Sequence, residues 1–150
     1  MKILFNRRGA TLVEFALILP LLIILIFGII EFGLIMYDQQ VITNAAREGA
    51  RYGIVMTDPL NDGDNRTPDL IMGVATNYAS THLINLGSAG GNFTATAGAP
   101  TPGGYCDTLS SGTPLTVSVT YDYAFLVVRN FLPSLSPVIQ LASTAVMNCE

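Results

Sequence analysis

Few side chains in this chain combine a type and a spacing that suit catalysis or metal binding. His82 is the single histidine; with no acid or cysteine close to it in sequence, a surface position is expected rather than a base or a ligand. Cys106 and Cys149 are the two cysteines, too few for a four-ligand zinc site. In an oxidising compartment they pair as a disulfide; the other reading is two buried free thiols. Asp58, Asp62, Asp64 and Asp69 offer oxygen ligands, but their spacing departs from the D-x-[DN]-x-[DN]-G calcium loop, which favours a solvated acidic loop. Ser110-Ser111-Gly112 has no nearby base. The G-x-S-x-G, H-E-x-x-H, Walker and G-x-G-x-x-G patterns are absent from the sequence. An enzyme is therefore not expected: no catalytic residue, no metal site and no cofactor are assigned.

The chemistry that remains is electrostatic, and it is concentrated in "RRGATLVEFALILPLLIILIFGIIEFG", residues 7–33. Glu14 stands near the start of this apolar run, and a charged carboxylate inside a bilayer costs roughly 3 kcal/mol on insertion scales. Such a cost calls for a partner. Gly9 separates the run from Arg7 and Arg8, which with Lys2 make three of the seven basic residues. The rest of the chain is strongly acidic, which argues against nucleic acid as a partner, because phosphates are bound through Lys and Arg clusters.

The element that must position these groups is a long helix. Sixteen uncharged residues lie between Glu14 and Glu31. With Ala10–Val13, Phe32–Tyr37 and the two acids themselves they give an apolar helix of 28 residues, where about 20 suffice to span a membrane. Three basic residues before the span and a mixed-charge sequence after it place the N-terminus in the cytoplasm and export the remainder. Pro20 predicts a kink or local unwinding, and Glu31 falls near the outer boundary of the bilayer. The core is far longer than that of a secretory signal, so an uncleaved anchor is one reading and a cut ahead of the apolar run, at Gly9, is another. The helix continues through "YDQQVITNAAREGARYGIV", where Ala45, Gly49 and Gly53, and likewise Ala46 and Ala50, recur every four residues. Small residues at that spacing make a groove for close approach of another backbone; the plainer reading is a solvated helix end frayed by glycine.

Beyond residue 56 the pattern is that of a small α+β head. Residues 57–69 read as a loop, with Asp69 placed to cap the next helix. Residues 70–86 carry apolar positions 71, 74, 75 and 78 at helical spacing, so one face packs on a sheet. Residues 87–105 have loop composition, apart from an edge strand over 92–97. "LTVSVTYDY", 115–123, alternates as a half-buried strand, and "VIQLASTAVMNC", 138–149, is its antiparallel neighbour. The apolar connection "AFLVVRNFLPSLSP" either covers the sheet or contacts a partner or the membrane.

The order of basic pair, glycine, small residue, hydrophobics, glutamate, long apolar helix and then "AAREGARYG" closely resembles the TadE-like pseudopilins of tight-adherence pilus systems, and more distantly the type IV pilins. The resemblance covers residues 7–55. It implies a cytoplasmic leader peptide at 1–9, a long helix at 10–56 with its transmembrane segment at about 12–37, and an extracytoplasmic head at 57–150 with a second helix and two to four antiparallel strands. It also implies cleavage between Gly9 and Ala10 by a prepilin peptidase, with Lys2, Arg7 and Arg8 as leader residues and Glu14 as an assembly contact. The implied partners are the membrane, that peptidase, other pilin or pseudopilin subunits and the pilus assembly machinery. The implied place is a bacterial inner membrane, with incorporation into a surface pilus left open. The alternative is an uncleaved single-pass anchor displaying a binding head.

Overall fold

The computed structural model describes residues 7–55, 67–84, 92–98, 106, 111–125 and 138–150. Helix α1 spans Arg7–Ile54 and α2 spans Pro68–His82; the strands are β1 (Phe93–Gly98), β2 (Pro114–Ala124) and β3 (Val138–Asn148). The fold is α+β, a long N-terminal helix whose C-terminal half is built into a small head.

An uncharged run dominated by leucine and isoleucine carries α1 through Pro20 without unwinding. Proline removes a single hydrogen bond, and the turns on both sides keep theirs. Helix α2 begins two residues before the sequence pattern suggests. Thr67 occupies its cap position in an extended conformation without a side-chain cap, and Pro68 follows at the first helical position, where its fixed φ suits the helix and its missing N–H is no loss. Asp69 is therefore not the cap; it lies in the first turn, where a negative charge still suits the helix dipole.

The three strands form one antiparallel sheet in the order β1-β2-β3. The alternation of β2 decides its faces. Leu115, Val117, Val119, Tyr121 and Tyr123 are buried, while Thr116, Ser118, Thr120 and Asp122 lie on the other side and are less buried. In register, Phe93 pairs with Tyr121 on one flank and Leu141 with Tyr121 on the other. Helix α1 lies across β2 and β3, and α2 covers β1 and packs on α1. The core joins Ile42, Ala46 and Ala50 of α1 and Ile71 and Ala75 of α2 to the buried face of β2. Cys106 and Cys149 form a disulfide with a Cα–Cα distance of 5.4 Å, and both are buried. Cys149 also donates to the Thr113 carbonyl at 2.9 Å and accepts from the Gly112 N–H at 2.8 Å; Gly112 itself turns with φ +86°, a conformation that glycine adopts at little cost.

Candidate functional site

The functional residues foreseen in the sequence lie along α1, and the structure divides that helix into two lengths. From Gly9 through Leu22 every residue is exposed, and the exposure continues with few interruptions to Ile30. This stretch is about 33 Å long. It belongs to the one helix, among the described residues, long and apolar enough to cross a membrane, with a mean hydropathy of 2.9 and none of its most apolar window buried by the protein. Phe15, Leu17, Leu21 and Leu25 are each more than half exposed. Burying side chains of that size is worth roughly 1.5–3 kcal/mol apiece, and here the protein itself supplies no cover. Gly9, Ala10 and Glu14 all lie in this exposed length. Arg7 and Arg8 continue the helix backbone, while Lys2 lies outside the described residues.

From Glu31 onward one stripe of the helix is covered by the head. Glu31, Asp38, Val41, Ile42, Ala45, Ala46, Gly49, Ala50 and Gly53 are buried, a set spaced by three, four and seven as one helix face requires. The groove of small residues is filled by the head of the same chain. A Cβ placed on Gly49 would stand 3.2 Å from Ala75 Cβ, 3.3 Å from the Ile71 carbonyl oxygen and 3.4 Å from Val117 Cγ1. One on Gly53 would stand 2.5 Å from Leu115 Cδ2 and 2.7 Å from Ile71 Cδ1. The backbone that these residues admit is that of α2, and the frayed, solvated end does not form.

Sequence reasoning missed the junction where the two lengths meet. Asp38 has no exposed surface. One carboxylate oxygen accepts the Ile84 N–H at 3.1 Å; the other has no hydrogen-bond partner among the described residues, and neither has the buried Tyr123 hydroxyl. Burial pushes the Asp38 carboxyl above the ordinary carboxylate value, although the Ile84 N–H works in the opposite direction. Burial likewise raises Tyr123, pushed up to about 12, with the negative charges of Glu31 and Asp38 adding to the effect. Tyr121 is raised by burial and then by Asp38. The sequence places Glu31, Asp38 and Ala45 seven residues apart on one helix face, but that spacing does not say that the face is buried.

The remaining expectations sort simply. His82 is exposed, stacked on Tyr78 with ring centroids 4.4 Å apart. Among the described residues no group of three or more His, Cys, Asp or Glu is placed to hold a metal ion. Asp58, Asp62, Asp64, Ser110 and the connection 126–137 lie outside the described residues.

No curated protein and no solved structure matches the chain. Over residues 9–51, within the helix that is long and apolar enough to cross a membrane, the chain is similar to the family model described as TadE-like protein.

Proposed function

We propose that the chain is a prepilin-like (pseudopilin) membrane protein, cleaved after Gly9 and taking part in assembly of a surface adhesion pilus. The observation that carries this reading is that the family match begins at Gly9, the residue that separates Arg7 and Arg8 from the apolar run. Residues 1–9 then act as a cytoplasmic leader, and the head faces away from the cytoplasm, where its disulfide persists. Cleavage by a prepilin peptidase frees the Ala10 amine, which is mostly protonated at neutral pH. That amine is a counter-charge for Glu14, within the chain at four-residue spacing or from a neighbouring subunit. A carboxylate in hydrocarbon is relieved by such a partner, so Glu14 serves as the assembly contact with other pilin or pseudopilin subunits.

One observation favours the alternative of an uncleaved single-pass anchor displaying a binding head. The helix runs unbroken through Gly9 and Ala10, whereas a peptidase acts on extended backbone. N-terminal sequencing of protein extracted from membranes separates the two. Ala10 as first residue, lost in Gly9→Val, supports processing; Met1 or Lys2 retained in the parent protein sinks it.

A further inference from the structure

We infer that the membrane-proximal rim of the head, formed by Val138 and Ile139 of β3 beside Phe32, Met36 and Tyr37 of α1, rests in the lipid headgroup layer. The head thus lies on the bilayer surface rather than being held above it on a stalk. This inference rests on the reading that α1 spans the membrane.

Three observations fix the height of the rim. The large exposed hydrophobics of α1 continue through Phe32 (62%), Met36 (51%) and Tyr37 (44%) and then stop until Val55. From Gly9 to Ile30 the helix covers about 33 Å, the thickness of the hydrocarbon core, so that Phe32 to Tyr37 lie within about 10 Å beyond its outer edge. Residues 32–37 thus belong to the outer headgroup layer. Yet the head already covers the opposite side of the helix at this level, since Glu31 is 3% exposed.

The strands give the same height independently. Gln39 Nε2 donates to the Ala142 carbonyl at 3.1 Å, and the backbone N–H of Glu150 donates to the Ile54 carbonyl at 3.3 Å. Strand β3 therefore runs in the same direction as α1. Ile139 is three residues below Ala142, about 10 Å along a strand, which brings it level with Phe32 and Gly33 of the helix. Its register partner is the buried Tyr123, so Ile139 sits on the core side of the sheet. It is nevertheless 40% exposed, and Val138 on the other side is 39% exposed. An isoleucine on the inner face that the described residues leave 40% exposed, level with a helix turn in the headgroup layer, is covered by lipid. The apolar surface of the rim is continuous in height with that of the spanning helix. Amphipathic surfaces of this kind bury about 5–10 Å into the headgroup and acyl boundary.

The chain contains no tryptophan, so single-tryptophan variants report depth directly. Full-length protein carrying Leu22→Trp, Ile139→Trp, Val138→Trp or Val146→Trp is reconstituted in phosphatidylcholine vesicles whose acyl chains are brominated either near the headgroup or near the bilayer centre. Leu22→Trp is quenched most by the central bromines, which tests the span itself. Ile139→Trp and Val138→Trp are quenched roughly twofold by the shallow bromines, whereas Val146→Trp, high on the exposed face of β3, responds to aqueous acrylamide alone. Val138→Trp keeps the test valid if the larger ring at 139 disturbs the fold. If both rim variants respond to acrylamide as Val146→Trp does while Leu22→Trp is quenched centrally, the span stands and the resting head is wrong. If they are shielded from both quenchers, protein covers the rim, whether from this chain or a second copy, and the lipid assignment is overturned. If Leu22→Trp itself escapes the central bromines, the spanning helix and the inference fall together.

Discussion

Asp38 carries a carboxylate oxygen without a hydrogen-bond partner among the described residues, in a place with no exposed surface. An unsatisfied buried acceptor costs roughly 1–3 kcal/mol, and burial is the larger influence on this carboxyl. Glu31 shares its helix face, and Tyr121 and Tyr123 of β2 bring hydroxyls that resist ionisation; His82, near Ile84, is exposed and turned to Tyr78. Because burial raises the folded-state pKa of Asp38 above the ordinary 3.8, the folded chain holds this proton more tightly than the unfolded one. Its contribution is most favourable below 3.8 and declines as pH rises through the raised value. Asp38→Asn keeps an acceptor for the Ile84 N–H and removes the charge. It is expected to stabilise the docked head by about 1 kcal/mol at neutral pH and to flatten the loss of stability between mildly acidic and neutral pH. Thermal unfolding of detergent-solubilised protein at both pH values reads this, and an unchanged pH slope refutes it. The sequence shows an acid after the apolar run, but burial of Asp38 is decided by strands more than eighty residues away, which no local pattern records.

At the scale of elements, the contact between α1 and α2 is set by small residues. Gly49 faces backbone and a short side chain, the Ile71 carbonyl and Ala75, neither of which can move aside. Gly53 faces the branch ends of Leu115 and Ile71, which can rotate. Gly49→Leu is therefore expected to lower stability by about 1–3 kcal/mol and to detach α2, with membrane insertion unchanged because residue 49 lies beyond the apolar length. Gly53→Ala is expected to cost less. Limited proteolysis of the α2 region together with the melting temperature decides this; a Gly49→Leu head that melts like the parent would show that the groove is not tightly filled. The elements themselves were largely legible. Alternation revealed β2 because one face is fully buried, and uninterrupted apolarity revealed α1 because membrane spans need length. What four-residue spacing could not reveal was which backbone enters the groove, since it records closeness and not the identity of the neighbour. The edge strand β1, with its short and partly small side chains, carried a weak pattern for the same reason: it is only half covered.

For the molecule as a whole, the head is small, and the disulfide is a large part of what holds it. It closes a sequence separation of 43 residues, for which loop entropy gives about 4 kcal/mol. Replacing both cysteines, Cys106→Ala with Cys149→Ala, is expected to shift the denaturant midpoint of the head by that order while leaving the spanning helix inserted. Equal midpoints for the double variant and the oxidised parent would contradict it. The division of the long helix was legible in outline, as a transmembrane segment at about 12–37 within a helix at 10–56, but not that the head already covers one side of it at Glu31. Only the arrival of β2 and β3 distinguishes its halves.

That arrival takes time. The hydrogen bond from Gln39 to Ala142 joins residues 103 positions apart, so the inner stripe of α1 is synthesised long before the strands that cover it. Contacts of such separation form slowly, and a nascent helix with a wide leucine face would meanwhile be prone to association. The stripe that has to wait is instead largely alanine and glycine: Ala45, Ala46, Gly49, Ala50 and Gly53. The residues that make the finished groove tight also make the unfinished chain less adhesive while it waits.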